Sequence, residues 1–183
     1  MVERPEIVDY MTYEDMRARF RAEVMKAKEL RRIHIGEYLT LLFENHLTVR
    51  YQIQEMIRAE RIVRESDIAH EIDTYNELLG GEGELGGTLL IEIEDPALRD
   101  RKLREWWSLP EKIYVVLENG TRIPAMCDEH QRGEGRLSSV QYLKFKTGRS
   151  VPVAVGVDLV DLQNETLLTH KQREALRADL GER

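Results

Sequence analysis

The chain has 183 residues, 42% hydrophobic and 33% charged, a balance that supports a packed core and argues against disorder. A net charge of −7 disfavours general nucleic-acid binding. No apolar run approaches the roughly 20 residues that span a bilayer. The N-terminal segment MVERPEIVDY is acidic and lacks the apolar stretch of a secretory signal. The lone Cys127 leaves no internal disulfide and no multi-cysteine metal site. The expectation is a single domain over residues 1–183, cytoplasmic, with no membrane and no nucleic-acid partner.

The first helix is signalled by Thr12 and Asp15 at capping-box spacing, with Met11 and Met16 placed as a hydrophobic staple. Tyr13, Met16, Phe20, Val24, Ala27 and Leu30 form its apolar stripe. It ends in the basic patch Lys26, Lys28, Arg31 and Arg32, which suits the C-terminal dipole and supplies a counter-charge for Glu60 if packing joins them. Arg32–Gly36 and Tyr38–Glu44 read as a hairpin turning at Gly36-Glu37.

The next stretch, Leu41 to Ile62, is the densest mixture of polar and apolar groups. Thr48 reads as the cap of a helix reaching Arg64. At about 100° per residue, Val49, Ile53, Met56, Ile57 and Val63 share one face, with Glu60 in its middle. Tyr51, Glu55, Arg58 and Ile62 lie opposite. A carboxylate facing a core costs several kcal/mol unless paired, protonated or metal-bound. Glu44, Asn45, Tyr51, Gln54, Glu55, Arg58 and Glu60 are therefore a candidate polar site. The plain alternative is an i,i+3 pair between Glu55 and Arg58, with Glu60 reaching out to an arginine.

Ser66 reads as the cap of a third helix ending near Leu79, with Ile68, Ile72, Tyr75 and Leu79 as its stripe. His70, Asp73 and Glu77 share another face at metal-compatible spacing, although a solvated acidic face has the same pattern. From Glu65 to Leu98 there are ten acidic residues and no Lys or Arg, a segment that could meet a basic partner or simply face water. The glycines from Gly80 to Gly87 read as a loop without the spacing or lysine of a phosphate-binding loop. Thr88–Glu94 reads as a strand, and Asp95-Pro96 as a helix start. The Trp106-Trp107 pair on that helix reads as core plus partial surface, and as a partner surface if one ring is exposed.

Ile113–Glu118 and Thr121–Cys127 flank Asn119-Gly120, a strong hairpin signal, with Pro124 placing the second strand at an edge or bulge. Cys127-Asp128-Glu129-His130 combines metal-binding residue types, but neighbours in a turn rarely converge on one point. Ser138–Lys146 and Val151–Val157 read as further strands. Thr169 and Gln172 cap a last helix ending at Gly181. The fold class expected is α+β, with a largely antiparallel or mixed sheet of about six or seven strands and helices packed against it.

The runs LLFEN, YQIQEM and RAE, followed by YNELL, ELGGTLLIEIED, RIPA, SSVQYLKF and QREALRADL, resemble a bacterial family known only as a domain of unknown function. The resemblance covers nearly the whole chain. Its most distinctive segment falls on Glu44, Asn45, Tyr51, Gln52, Gln54, Glu55, Arg58 and Glu60. Members are often encoded near rubrerythrin-like proteins and iron–sulfur proteins similar to heterodisulfide reductase subunits. The resemblance thus implies a redox or oxidative-stress setting and a redox or iron–sulfur protein as partner.

Three classes of function follow. The favoured one is a non-catalytic accessory protein that meets its partner through the acidic segment and the tryptophan pair. The second is a metal-binding protein or metal-dependent enzyme using Glu44, His46, Glu55, Glu60 and His70, an oxygen-rich set that suits iron or manganese. The third is a small-molecule binder or metal-free enzyme in which Arg58 holds an anion and Glu60 acts as acid or base.

Overall fold

Strands with one solvated face alternate in burial, and strands covered on both faces do not; this chain has both kinds. The computed structural model describes residues 1–127 and 135–181. Two compact units interleave along the chain. One comprises Met1–Leu30 and Glu44–Leu79, the other Arg31–Phe43 and Gly80–Arg183. The class is α+β, as expected.

The first unit is helical. A short 3₁₀ turn, Arg4–Glu6, precedes α1 (Tyr10–Glu29), α2 (His46–Glu60) and α3 (Glu65–Asn76). Helix α1 begins earlier than Thr12 suggests, because the Asp9 carboxylate accepts the amides of both Met11 and Thr12. Thr12 instead donates its hydroxyl to Asp9, and Met11 is 68% exposed, so no staple forms. The buried stripe of α1 is Tyr13, Phe20 and Val24, while Met16 and Leu30 face water.

Helix α2 is capped by Asn45, whose side chain accepts the Thr48 amide, while the Thr48 hydroxyl accepts the Asn45 amide. Thr48 is thus the inner member of a capping box rather than the cap. The helix stops at Glu60, short of Arg64, because Arg61 turns into the left-handed region at φ 52°. The Ile62 amide then bonds back to the Ile57 carbonyl, the pattern of a Schellman stop. Helix α3 starts at Glu65 with no side-chain cap, and the Ser66 hydroxyl goes to Asp67 instead. Val49, Ile53 and Ile57 of α2 pack with Ile68 and Ile72 of α3, and with Val2 and Ile7 from the N-terminal arm.

The second unit is built from strands. They are β1 (Arg32–Ile35), β2 (Leu39–Glu44, whose last residue belongs to the helical unit), β3 (Glu84–Ile91), β4 (Ile113–Leu117), β5 (Arg122–Pro124), β6 (Met126–Cys127), β7 (Val140–Lys146), β8 (Pro152–Val157) and β9 (Asn164–Leu167). Helices α4 (Pro96–Glu105), α5 (Leu109–Lys112) and α6 (His170–Gly181) complete it. One sheet has the order β1-β2-β3-β7-β6 and the other β5-β4-β8-β9. The pairings of β1 with β2, β3 with β7, β4 with β8 and β8 with β9 are antiparallel.

Both expected hairpins form, turning at Gly36 and Gly120 with φ of 64° and 81°. The strand expected over Thr121–Cys127 divides at Ala125. Its first half pairs with β4, its second half with β7, and the Ala125 amide bonds to the Ile113 carbonyl. One segment thereby serves the edges of both sheets, which places Pro124 at an edge as its missing N–H requires. Strand β3 starts at Glu84, so Gly86 and Gly87 are strand rather than loop. A side chain at Gly87 would stand 3.1 Å from Leu41 Cδ1, so glycine lets β3 approach β2. Strand β9, with the polar sequence NETL, has no counterpart in the sequence reading.

The core between the sheets contains Phe43, Leu89, Val115, Phe145 and Val155. Asp95 and Pro96 start α4, and Thr169 with Gln172 starts α6, as expected. Helix α6 is fastened by a buried ion pair. Arg31 Nε and Nη2 each donate to the Asp179 carboxylate at 2.8 Å, with the residues 8% and 3% exposed. Arg31 is therefore engaged with Asp179. Asp179→Ala leaves a buried guanidinium without its carboxylate and should cost about 3–5 kcal/mol in urea unfolding. The double replacement Arg31→Met with Asp179→Leu should cost much less.

Candidate functional site

The polar residues of α2 are not gathered around a common point. Those that are held are bound to separate partners within the helical unit. Glu55 is the most completely held. Its Oε1 accepts the Tyr13 hydroxyl at 2.7 Å and Arg17 Nε at 2.8 Å, and its Oε2 accepts Arg17 Nη2 at 3.0 Å. Tyr13 is fully buried, and its ring meets Phe20, which in turn meets Tyr51 at a centroid distance of 6.0 Å. The side of α2 opposite its apolar face is thus covered by α1, as the sequence suggested for Tyr51.

Electrostatics follow this geometry. Arg17 holds the Glu55 carboxyl below the ordinary range, aided by the Tyr13 hydroxyl and opposed by burial. Burial first, then Glu55, pushes the Tyr13 phenol up, so it remains a donor. Arg58 donates to Glu14 of α1, and that bond lowers the Glu14 pKa. The i,i+3 pair of Glu55 with Arg58 does not form, because both side chains reach across to α1.

The remaining positions are equally separate. Glu44 is buried and accepts the Thr48 hydroxyl. Asn45 serves the helix cap. Gln54 is 1% exposed and binds the main chain of Val8. His46 Nε2 lies 3.0 Å from Glu6. Glu60 is exposed, contrary to its expected place in the apolar face, and Val63 is 71% exposed. The angular position was right, but the helix ends at Glu60 and the stripe loses its cover beyond Ile57. Glu60 is therefore not the buried acid or base expected, and Arg58, expected to hold an anion, is paired with Glu14.

His70, Asp73 and Glu77 all face solvent on α3. Among the described residues no three His, Cys, Asp or Glu side chains are placed to hold a metal ion, so Glu44, His46, Glu55, Glu60 and His70 do not converge. Asp128, Glu129 and His130 lie outside the described residues. Trp106 is buried against Tyr38, with Lys102 Nζ 5.3 Å above its ring, and only Trp107 is partly accessible. No helix among the described residues is long and apolar enough to cross a membrane.

An open depression of about 750 Å³ lies beside Arg58 at the α1–α2 surface, bordered by Met11, Glu14, Asp15 and Arg61. Its central cation is already neutralised by Glu14. The sequence reading missed Tyr13, Glu14 and Arg17 as partners. The available signal was Arg17, a charge set into the stripe of Tyr13, Phe20 and Val24.

A depressed folded pKa means that Glu55 stabilises the fold above the ordinary glutamate range, and that this contribution is lost as pH falls through the folded value. Glu55→Gln should therefore lower unfolding free energy by about 1–3 kcal/mol at neutral pH. The gap to the unaltered chain should narrow steadily as the titration is carried down to about pH 3. Urea denaturation across that series checks both the loss and its direction with pH.

Comparison with known proteins gives the chain relatives but no activity. A crystal structure described as a novel protein of unknown function from Burkholderia pseudomallei K96243 is similar, with a TM-score of 0.90 and 26% identity over 98% of each chain. No curated protein matches. Residues 1–180 match the model of a family described as a protein of unknown function, DUF3501, and the chain belongs to that family.

Proposed function

We propose that this chain is a non-catalytic accessory protein of the cytoplasm that works by docking to another protein. The observation that supports this most directly is the use of the α2 polar groups. Glu55, Arg58, Glu44 and Gln54 each have a partner in α1, α2 or the N-terminal arm, in contacts that hold the helical unit together. A catalytic constellation instead needs groups within reach of one reacting atom.

The contact surface proposed is the outer side of α3 and its C-terminal end, where Asp67, Asp73 and Glu77 face solvent within the run from Glu65 to Leu98 that contains no Lys or Arg. Charge of one sign steers encounter with a basic partner and makes it salt-dependent. Trp106 is dropped from that surface because it is buried. The redox or iron–sulfur character of the partner rests on the gene neighbourhood that the family resemblance implies.

Sedimentation of the untagged chain with an iron–sulfur protein encoded beside it tests the reading. A complex is expected, weakened at least about tenfold between low and moderate salt by screening of the acidic face. Absence of a complex, together with turnover by the chain alone that Glu55→Gln abolishes, would reverse it.

A further inference from the structure

The N-terminal arm is held in an unusual way. Asn76 Oδ1 accepts the Val2 amide at 2.8 Å, and Asn76 Nδ2 donates to the Val2 carbonyl at 2.9 Å. Gln54 treats Val8 identically, accepting its amide at 2.8 Å and donating to its carbonyl at 3.0 Å. Two carboxamides, 6% and 1% exposed, thus grip both main-chain groups of one residue each. Between these clamps Arg50 Nε donates to the Glu6 carbonyl, and Val2 and Ile7 insert among Val49, Ile53, Ile57, Ile68 and Ile72.

The arm is extended on either side of the 3₁₀ turn Arg4–Glu6, and it is held as a recognised peptide is: main-chain hydrogen bonds provide attachment and side-chain pockets provide selectivity. We infer that the α2–α3 groove is a peptide site, that it takes a segment of a partner protein with the shape of this arm, extended at both clamps with one turn between them, and that residues Val2–Val8 are its resident, displaceable occupant. The inference rests on the partner-protein reading above and gives that partner a second contact, beside the acidic outer side of α3.

Three features carry it. The clamps read backbone, so they accept another segment that makes the same turn between them and not only this arm. Buried carboxamides without partners are costly, so exchange of one strand for another is favoured over an empty groove. The remaining arm contacts, Arg4 with Glu65 and Glu6 with His46, are partly exposed and screened by salt. Charge complementarity then defines the incoming segment. It carries aliphatic residues five positions apart, as Val2 and Ile7 are, with a cation between them facing Glu65 and a carboxylate facing His46.

The test uses the full chain and a fluorescein-labelled nonapeptide with the sequence of residues 1–9. Val2→Asp with Ile7→Asp removes the resident anchors. The peptide should bind that chain at least about tenfold tighter than the unaltered one, which competes with its own arm. Adding Gln54→Leu should abolish the binding. A folded Val2→Asp/Ile7→Asp chain that does not bind the peptide overturns the inference.

Should that variant not fold, hydrogen exchange on the unaltered chain decides. The Val2 and Val8 amides should exchange at least about 100-fold faster than those of Ile53 and Ile57, as local opening requires. Equal rates would mean that the arm leaves only on global unfolding, and would overturn displacement. A partner complex that forms but is not weakened by Gln54→Leu keeps the partner reading and removes this groove from it. Absence of any complex removes the partner reading, while the peptide measurement still judges the groove.

Discussion

A carboxylate withdrawn from water needs donors in the fold, and Glu55 finds three N–H and O–H groups on α1. That requirement fixes the helical unit. Arg17 must lie between Tyr13 and Phe20 on the inner face of α1, which brings the aromatic rings against Tyr51 and forces the flexible Met11 and Met16 outward. The bidentate Arg17 fork sets both the height and the rotation of α1 on α2, which apolar contact alone leaves loosely specified. The same contacts keep Tyr13 protonated and Glu55 ionised, so the pair is electrostatically settled rather than poised for proton transfer.

The same constraint recurs elsewhere with different chemistry. In the strand-built unit Arg31 and Asp179 satisfy each other in a bidentate pair and fasten α6. In the helical unit Asn76 and Gln54 are satisfied by main-chain groups of the arm. An ion pair requires its one partner, whereas a carboxamide clamp requires only main-chain groups presented to it. That difference is why the proposed peptide site is at the arm rather than at Glu55 or Asp179.

Features governed by neighbouring residues were legible in the sequence. The turns at Gly36 and Asn119-Gly120 and the caps at Asp95 and Thr169 need only local chemistry, and they form where expected. Features governed by competition or distance were not. Asp9 and Thr12 are both good caps, and the carboxylate, taking two amides, sets the start. Periodicity gave the angle of Glu60 but not the length of the surface that would cover it. The division of Arg122–Cys127 depends on which sheet edge each half reaches, and NETL became a strand only beside β8. Of the candidate site, the residues were visible and their partners were not: Arg17 is 38 positions from Glu55, and Asn76 is 74 from Val2.

The central claim is that the polar residues of α2 act through the helices they join. A double-mutant cycle on Arg17→Ala and Glu55→Ala, read as unfolding free energy in urea, measures this directly. The account predicts a coupling of about 1–3 kcal/mol between the two positions. Additive effects, with coupling near zero, would show that Glu55 does not owe its place to Arg17, and would return it to the candidates for a reacting group.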